Sequence, residues 1–300
     1  MKDQQSLWMK LEKTVGLQKL IALIALVVIF GFFAISSESF RSFDTAVSIL
    51  DASYYIGFLA IGVTFVIITS GIDLSIGTVM MCSAIIGGVL HTKLGWPLWL
   101  SLLAILVIGG VFGLFNGILI AKFGLPPFIA TLGTMMISRG LSSIVSNVQS
   151  VTFPLRGTGE GWYKDLFRTK DNFPTGLIVL IIIAIIAAIV LNKTKIGRYI
   201  FAIGSNKEAT RLSGVNVIKW EAMAYVISGL FAGLAGIAYA ATYSTILPGT
   251  GNGMELDAIA GVVVGGTSLA GGVGSVLGTI IGVFIMSVLK IGLPYIDLQP

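Results

Sequence analysis

Three uncharged runs decide what this 300-residue chain can fold into. Eighteen residues lie between Lys19 and Glu38, 21 between Asp51 and Asp73, and 21 between Asp171 and Lys193, all without a charge. The hydrocarbon core of a bilayer takes about 20 residues of helix. In lipid, a helix is the single-segment solution, because an open strand or loop would leave its N–H and C=O groups unpaired. The run between Asp257 and Lys290 is too long for one crossing and must fold back. Composition supports the same solvent: apolar residues make up 55% and charged residues 11%, against about 25% charged in a soluble protein. Mean hydropathy is +0.96. The predicted helices are 20–37, 52–70, 74–90, 97–121, 125–147, 173–191, 221–241, 255–269 and 274–290. The expected fold is therefore an all-α polytopic membrane protein with about nine transmembrane helices. Residues 1–19 are read as a tail and 20–300 as one transmembrane domain. The first run is not expected to be a cleaved signal peptide, since residues 36–40 lack the small-residue cleavage pattern.

Lys and Arg set the orientation. Lys2, Lys10, Lys13 and Lys19 make the tail cytoplasmic. Alternation then places Lys122 inside, together with loop 192–220 and its Lys193, Lys195, Arg198, Lys207, Arg211 and Lys219. Loop 148–172 falls outside, where Arg156, Lys164, Arg168 and Lys170 are offset by Glu160, Asp165 and Asp171. The net charge of +5 follows from these anchors. No basic stripe with interleaved aromatics indicates nucleic acid.

Residues 110–126 and 278–294 share Gly110/Gly278, Lys122/Lys290, Gly124/Gly292, Leu125/Leu293 and Pro126/Pro294 at a constant offset. The parity puts Lys122 inside and Lys290 outside. The two copies would then run in opposite directions, as in the inverted-repeat architecture of many transporters. Chance identity in a Gly- and Leu-rich chain is the alternative. Pro126 leads into another span, whereas six residues follow Pro294. The expectation is that one further helix would complete the second half.

Asp73 is the sharpest chemical signal, lying alone between two apolar runs with Gly71 and Gly77 on either side. An intramembrane carboxylate persists where it faces a cavity or is satisfied internally. Two compatible readings remain: a broken helix near the midplane lining a conduit, with Ser75 taking up freed backbone groups, or an N-cap of helix 74–90. In loop 192–220, Ser205 and Glu208 have capping-box spacing and Gly214 suits a stop. A short exposed helix between Gly204 and Gly214 is expected, and one so short is marginal without a docking partner. The run Gly265–Gly278 carries no Gly-Lys-Ser/Thr, so it is no phosphate loop; close helix packing or a second break remains. Arg139 is either paired internally or near an interface. His91, beside Lys93 and Trp96, is read as interfacial. Glu255 and Asp257 open a helix, where carboxylates suit the dipole. Cys82, the single cysteine, excludes an internal disulfide and reads as a small apolar membrane-helix residue. No catalytic constellation, metal set or cofactor site is expected.

Four separated motifs now coincide. They are Gly71–Gly77, Asn116-Gly117 followed by Leu125–Gly133, Gly204–Gly214, and Gly265–Ser275. Together, over roughly Phe43 to Pro294, the chain resembles the permease subunits of sugar ABC importers of the ribose, xylose and arabinose type. The resemblance implies a homodimeric permease in the cytoplasmic (inner) membrane of a prokaryote, with about ten spans in a complete subunit. It also implies a separate ATP-binding cassette ATPase and an extracytoplasmic sugar-binding protein as partners. By it, residues 20–300 form the permease domain, and Ser205, Asn206, Lys207, Glu208, Ala209, Arg211 and Leu212 belong to the ATPase-coupling helix of loop 192–220. The candidate translocation path is Gly71, Asp73, Leu74, Ser75, Gly77, Asn116, Phe128, Thr131, Thr267 and Ser268. The expected cargo is a monosaccharide, ribose or a related sugar. The alternative is an ion-coupled secondary carrier for a small polar solute, although such carriers want more intramembrane ionisable groups than Asp73 and Arg139. A membrane enzyme would want paired carboxylates or clustered His, which the sequence lacks.

Overall fold

The computed structural model describes residues 17–167 and 173–299. Lys2, Lys10 and Lys13 of the tail, and Arg168, Lys170 and Asp171 of the outer loop, lie outside the described residues. Twelve α-helices occur among the described residues: α1 (Leu17–Ser36), α2 (Phe43–Ile68), α3 (Ile76–Thr92), α4 (Leu98–Gly117), α5 (Pro127–Ser146), α6 (Lys164–Phe167), α7 (Thr175–Lys193), α8 (Lys195–Ser205), α9 (Lys207–Leu212), α10 (Val217–Tyr243), α11 (Met254–Val264) and α12 (Val276–Gly292). A π turn extends α4 through Lys122. Among the described residues, seven helices are long and apolar enough to cross a membrane: α1, α2, α4 with its π turn, α5, α7, α10 and α12. Of the other two expected spans, 74–90 appears as α3, of the same 17-residue length but shifted by two, and 255–269 is corrected to the 11-residue α11.

Helix α2 is the axle of the bundle. Ser42 caps it by accepting from Thr45 N (3.2 Å), and Asp44 sits in its first turn, where a carboxylate suits the dipole. From Asp51 to Ile68 every residue is buried. It starts at Phe43 rather than near residue 52, because a capped helix tolerates Asp44 and Asp51 where a charge-free window does not. Helix α10 likewise begins at Val217, four residues before the expected start, with Asn216 capping Lys219 N. Small residues let the backbones meet, as membrane helix pairs require. A Cβ on Gly109 of α4 would lie 2.3 Å from Gly229 O of α10, and one on Gly282 of α12 would lie 1.8 Å from Gly261 O of α11.

The two ends of the bundle differ. At one end β1 (Val151–Thr152) pairs antiparallel with β2 (Thr245–Ile246), in register Val151↔Ile246. Phe153 and Tyr163 are buried beneath this layer. Lys164 Nζ reaches Ala241 O and Ser244 Oγ at the C-terminal end of α10, a cation where carbonyls are unpaired. At the opposite end lie α8, α9 and the turn 265–275. The short exposed helix expected between Gly204 and Gly214 is α9, which starts at Lys207 after an extended Asn206; a further helix, α8, precedes it and ends at Ser205.

Candidate functional site

Between α2 and α3 the chain leaves helical geometry for seven residues, 69–75. Asp73 closes this segment. Its Oδ1 accepts from Ser75 N (3.1 Å) and Ser75 Oγ (2.6 Å), and its Oδ2 accepts from Ser228 Oγ of α10 (2.9 Å). The N-cap position belongs to Ser75, so Asp73 is not the N-cap; it braces the turn two residues earlier. Asn116 Nδ2 of α4 donates to Ser75 Oγ (2.9 Å), and Thr134 Oγ1 of α5 donates to Asn116 Oδ1 (2.5 Å). Ser138 Oγ of α5 donates to Thr78 Oγ1 (2.8 Å), which donates to Ser75 O (3.0 Å). One buried polar chain thus ties α10, the break, α3, α4 and α5 together. Asp73 is 1% exposed, and each bond supplies a partner that lipid could not.

Of the expected path residues, the structure joins Asp73, Ser75 and Asn116 directly. Gly71 approaches Tyr225 of α10, and a Cβ there would lie 2.5 Å from the phenol oxygen. Leu74 is half-buried within the same segment, and Gly77 is buried at the start of α3. Thr131 is buried but turns its hydroxyl to Pro127 O of its own helix (2.8 Å), while Phe128 is exposed. Thr267 and Ser268 sit instead in the turn 265–275, where Ser268 Oγ accepts from Ala270 N (3.2 Å). The sequence reading missed Ser228, Thr134, Thr78 and Ser138. The signal for α5 was present: Thr131, Thr134, Ser138 and Ser142 recur at helical spacing, and all are buried.

The turn 265–275 meets the break from its other side. Gly272 N donates to Ile68 O (2.9 Å), and Ser70 Oγ donates to Ala270 O (2.7 Å) and to Gly204 O (3.4 Å). A Cβ on Gly204 would lie 1.7 Å from Ile68 O. The last turn of α8, the end of α2 and the turn 265–275 are therefore packed backbone to backbone. Helix α9 follows at once. Asn206, not Ser205, caps it by accepting from Ala209 N (2.8 Å), and Gly214 takes φ +81 at the stop. Ser205 closes α8. Lys207 pairs with Glu221 of α10 (2.7 Å), Glu208 pairs with Arg211 (2.8 Å), and Ala209 is exposed, as is Leu212 at 79%.

Other charged residues are placed as follows. His91 bonds Trp96 O (2.9 Å) and Glu160 (3.3 Å) at the sheet end. Arg139 of α5 is exposed and makes no ion pair among the described residues; its Nε would lie 3.9 Å from a Cβ on Gly249. Glu255 and Asp257 lie in the first turn of α11, and Asp257 pairs with Lys290 of α12 (2.6 Å).

A family profile described as "branched-chain amino acid transport system / permease component" matches residues 45–300. The ribose import permease protein of Escherichia coli K12 is 38% identical over 276 residues, covering 91% of this chain and 84% of that protein. The ribose import permease protein of Haemophilus influenzae is 36% identical over 282 residues, covering 92% and 85%. The galactose/methyl galactoside import permease protein of the same organism is 35% identical over 290 residues, covering 92% and 86%. No solved structure matches the chain.

Proposed function

This chain belongs to the branched-chain amino acid transport system / permease component family, and from that premise we propose that it is the membrane subunit of an ABC importer carrying a monosaccharide, ribose or a related sugar. The observation that carries the sugar reading is the identity of 36% and 38% to ribose import permeases across nine-tenths of the chain. A separate ATPase supplies hydrolysis, an extracytoplasmic binding protein delivers the sugar, and two copies of the chain enclose the path in the cytoplasmic membrane.

Helix α9 is the ATPase-docking element. Its exposed, capped and charged surface supports this role, as does the concentration of Lys193, Lys195, Arg198, Lys207, Arg211 and Lys219 on that side. The α9 end is then cytoplasmic and the sheet end external. Helix α11, with 11 residues, acts as a half-length span, and α3, with 17, as a short one. In this reading the nine segments form two inverted halves, each containing one break, and the Asp73 network fixes the first break beside the path.

The experiment is ATP-driven uptake in proteoliposomes holding this chain, its ATPase and its binding protein. Labelled ribose is expected to accumulate. Accumulation of leucine without any of ribose, xylose, galactose or fructose would favour the substrate in the family description and reject the sugar reading.

A further inference from the structure

Between β2 and α11 the chain leaves polar groups open at membrane depth. No helix begins after Ile246 until Met254. Gly249 N donates to Ser142 Oγ of α5 (3.1 Å), and a Cβ on Gly251 would lie 2.5 Å from Gly77 O. Gly77 opens α3, whose Gly88 packs against Val151 and Phe153 of the outer layer. At about 1.5 Å per residue, the loop lies roughly 16 Å inward of that layer, near the middle of a roughly 30 Å hydrocarbon core. Thr250, Asn252 and Gly253 are nonetheless exposed there. Irregular backbone does not face lipid at such depth; it persists where protein covers it or where it lines water.

A cavity of about 380 Å³ opens beside the loop, lined by Asn252, Gly253, Met254, Asp257, Met286 and Lys290 among others. The Lys290–Asp257 pair keeps 31% and 26% of its side-chain surface open. It is an intramembrane ion pair turned toward space rather than packed away, a pattern that marks solute pathways. The cavity falls within the range of small-molecule sites, roughly 300–1,000 Å³.

We propose that this cavity is a solvated station on the translocation path, and that its ligand is a small neutral polyhydroxylated molecule. Naming that ligand a monosaccharide rests on the importer reading above. The Asp257–Lys290 pair offers acceptor oxygens and ammonium protons side by side, and the Asn252 amide offers both kinds of group. Hydroxyls can bond to such a pair without separating it. A charged solute would have to compete with one partner of the pair for the other, which neutral hydroxyls need not do. Met254 and Met286 give an apolar wall for the C–H faces of a sugar ring.

The test uses the full chain with its ATPase and binding protein, in a Cys82→Ser background. Asn252→Cys is expected to react with a membrane-impermeant thiol reagent about tenfold or more faster than Ile181→Cys on the exposed face of α7, and added ribose should slow the reaction at 252. Lys290→Gln and Asp257→Asn should each lower ribose uptake by about tenfold or more, with ATPase co-purification unchanged. Equal labelling at 252 and 181, or parental uptake by both charge variants, overturns the station even where the parent imports ribose. If the parent imports no ribose, the importer reading has failed, and rapid labelling at 252 still supports the solvated station.

Discussion

Asp73 shows how a single intramembrane charge is held. Its oxygens take three donors from Ser75 and Ser228, and Ala would leave all three without a partner in a site closed to water. A buried donor left unpaired costs about 1–3 kcal/mol, so Asp73→Ala should destabilise the protein by about 3 kcal/mol or more. In detergent this predicts a fall in the unfolding midpoint of roughly 6 °C or more. Asp73→Asn keeps an acceptor oxygen and should lose less than half as much. An Ala variant that melts with the parent would show that the network carries no stability. Asp73 itself was legible in the sequence, because a lone carboxylate between apolar runs must be satisfied somewhere. Its partner Ser228 was not: it sits 155 positions away in a helix rich in small residues, and only the close approach of α10 gives it meaning. Glu255 and Asp257 were placed correctly at a helix start, but the reach of Asp257 to Lys290 depends on the α11–α12 turn.

At the level of elements, uncharged runs located the membrane helices and misplaced several of their ends. Charge-free windows stop at Asp51 and Glu221, yet α2 and α10 continue through both, because side-chain caps rather than charges end these helices. The same local chemistry moved the cap of α9 from Ser205 to Asn206. With Asn206 in extended geometry, its amide oxygen reaches Ala209 N. Helix α9 makes a sharp test, since its Glu208–Arg211 pair is 63% and 70% exposed and helix pairs of this kind contribute about 0.2–0.5 kcal/mol. The double variant Glu208→Ala/Arg211→Ala should therefore keep the parental melting point while losing most ATPase in a pull-down. Leu212→Cys, in a Cys82→Ser background, should label in inverted vesicles and not in intact cells. Full ATPase recovery by the double variant, or labelling of Leu212→Cys from outside, would remove α9 from the docking role.

Across the whole molecule, the α9 end and the break in the membrane form one mechanical unit. The backbone of α8 at Gly204, the end of α2 at Ile68, and the turn at Ala270–Gly272 meet directly, and the Ser70 hydroxyl just past α2 bonds to Gly204 O and Ala270 O. None of this was readable from the sequence, since glycine contacts between segments more than 60 residues apart carry no periodicity or charge. If α9 docks the ATPase as proposed, this junction offers a direct route from α9 to the break, because packed backbone deforms in discrete steps rather than yielding continuously. Ser70, held at φ +63, is a non-glycine residue in a left-handed conformation that the surrounding contacts maintain. Gly204→Ala places a methyl 1.7 Å from where Ile68 O now lies, so the two segments must part while the exposed face of α9 stays unchanged. The expected outcome is an assembled complex with parental ATPase binding and basal hydrolysis, in which sugar uptake per ATP hydrolysed falls by about tenfold. Ser70→Gly removes the hydroxyl bonds to Ala270 O and Gly204 O but adds no clash, and should lower that ratio less than Gly204→Ala does. A Gly204→Ala complex that transports with the parental uptake-to-hydrolysis ratio would mean that force reaches the break by another route, such as the Lys207–Glu221 pair into α10.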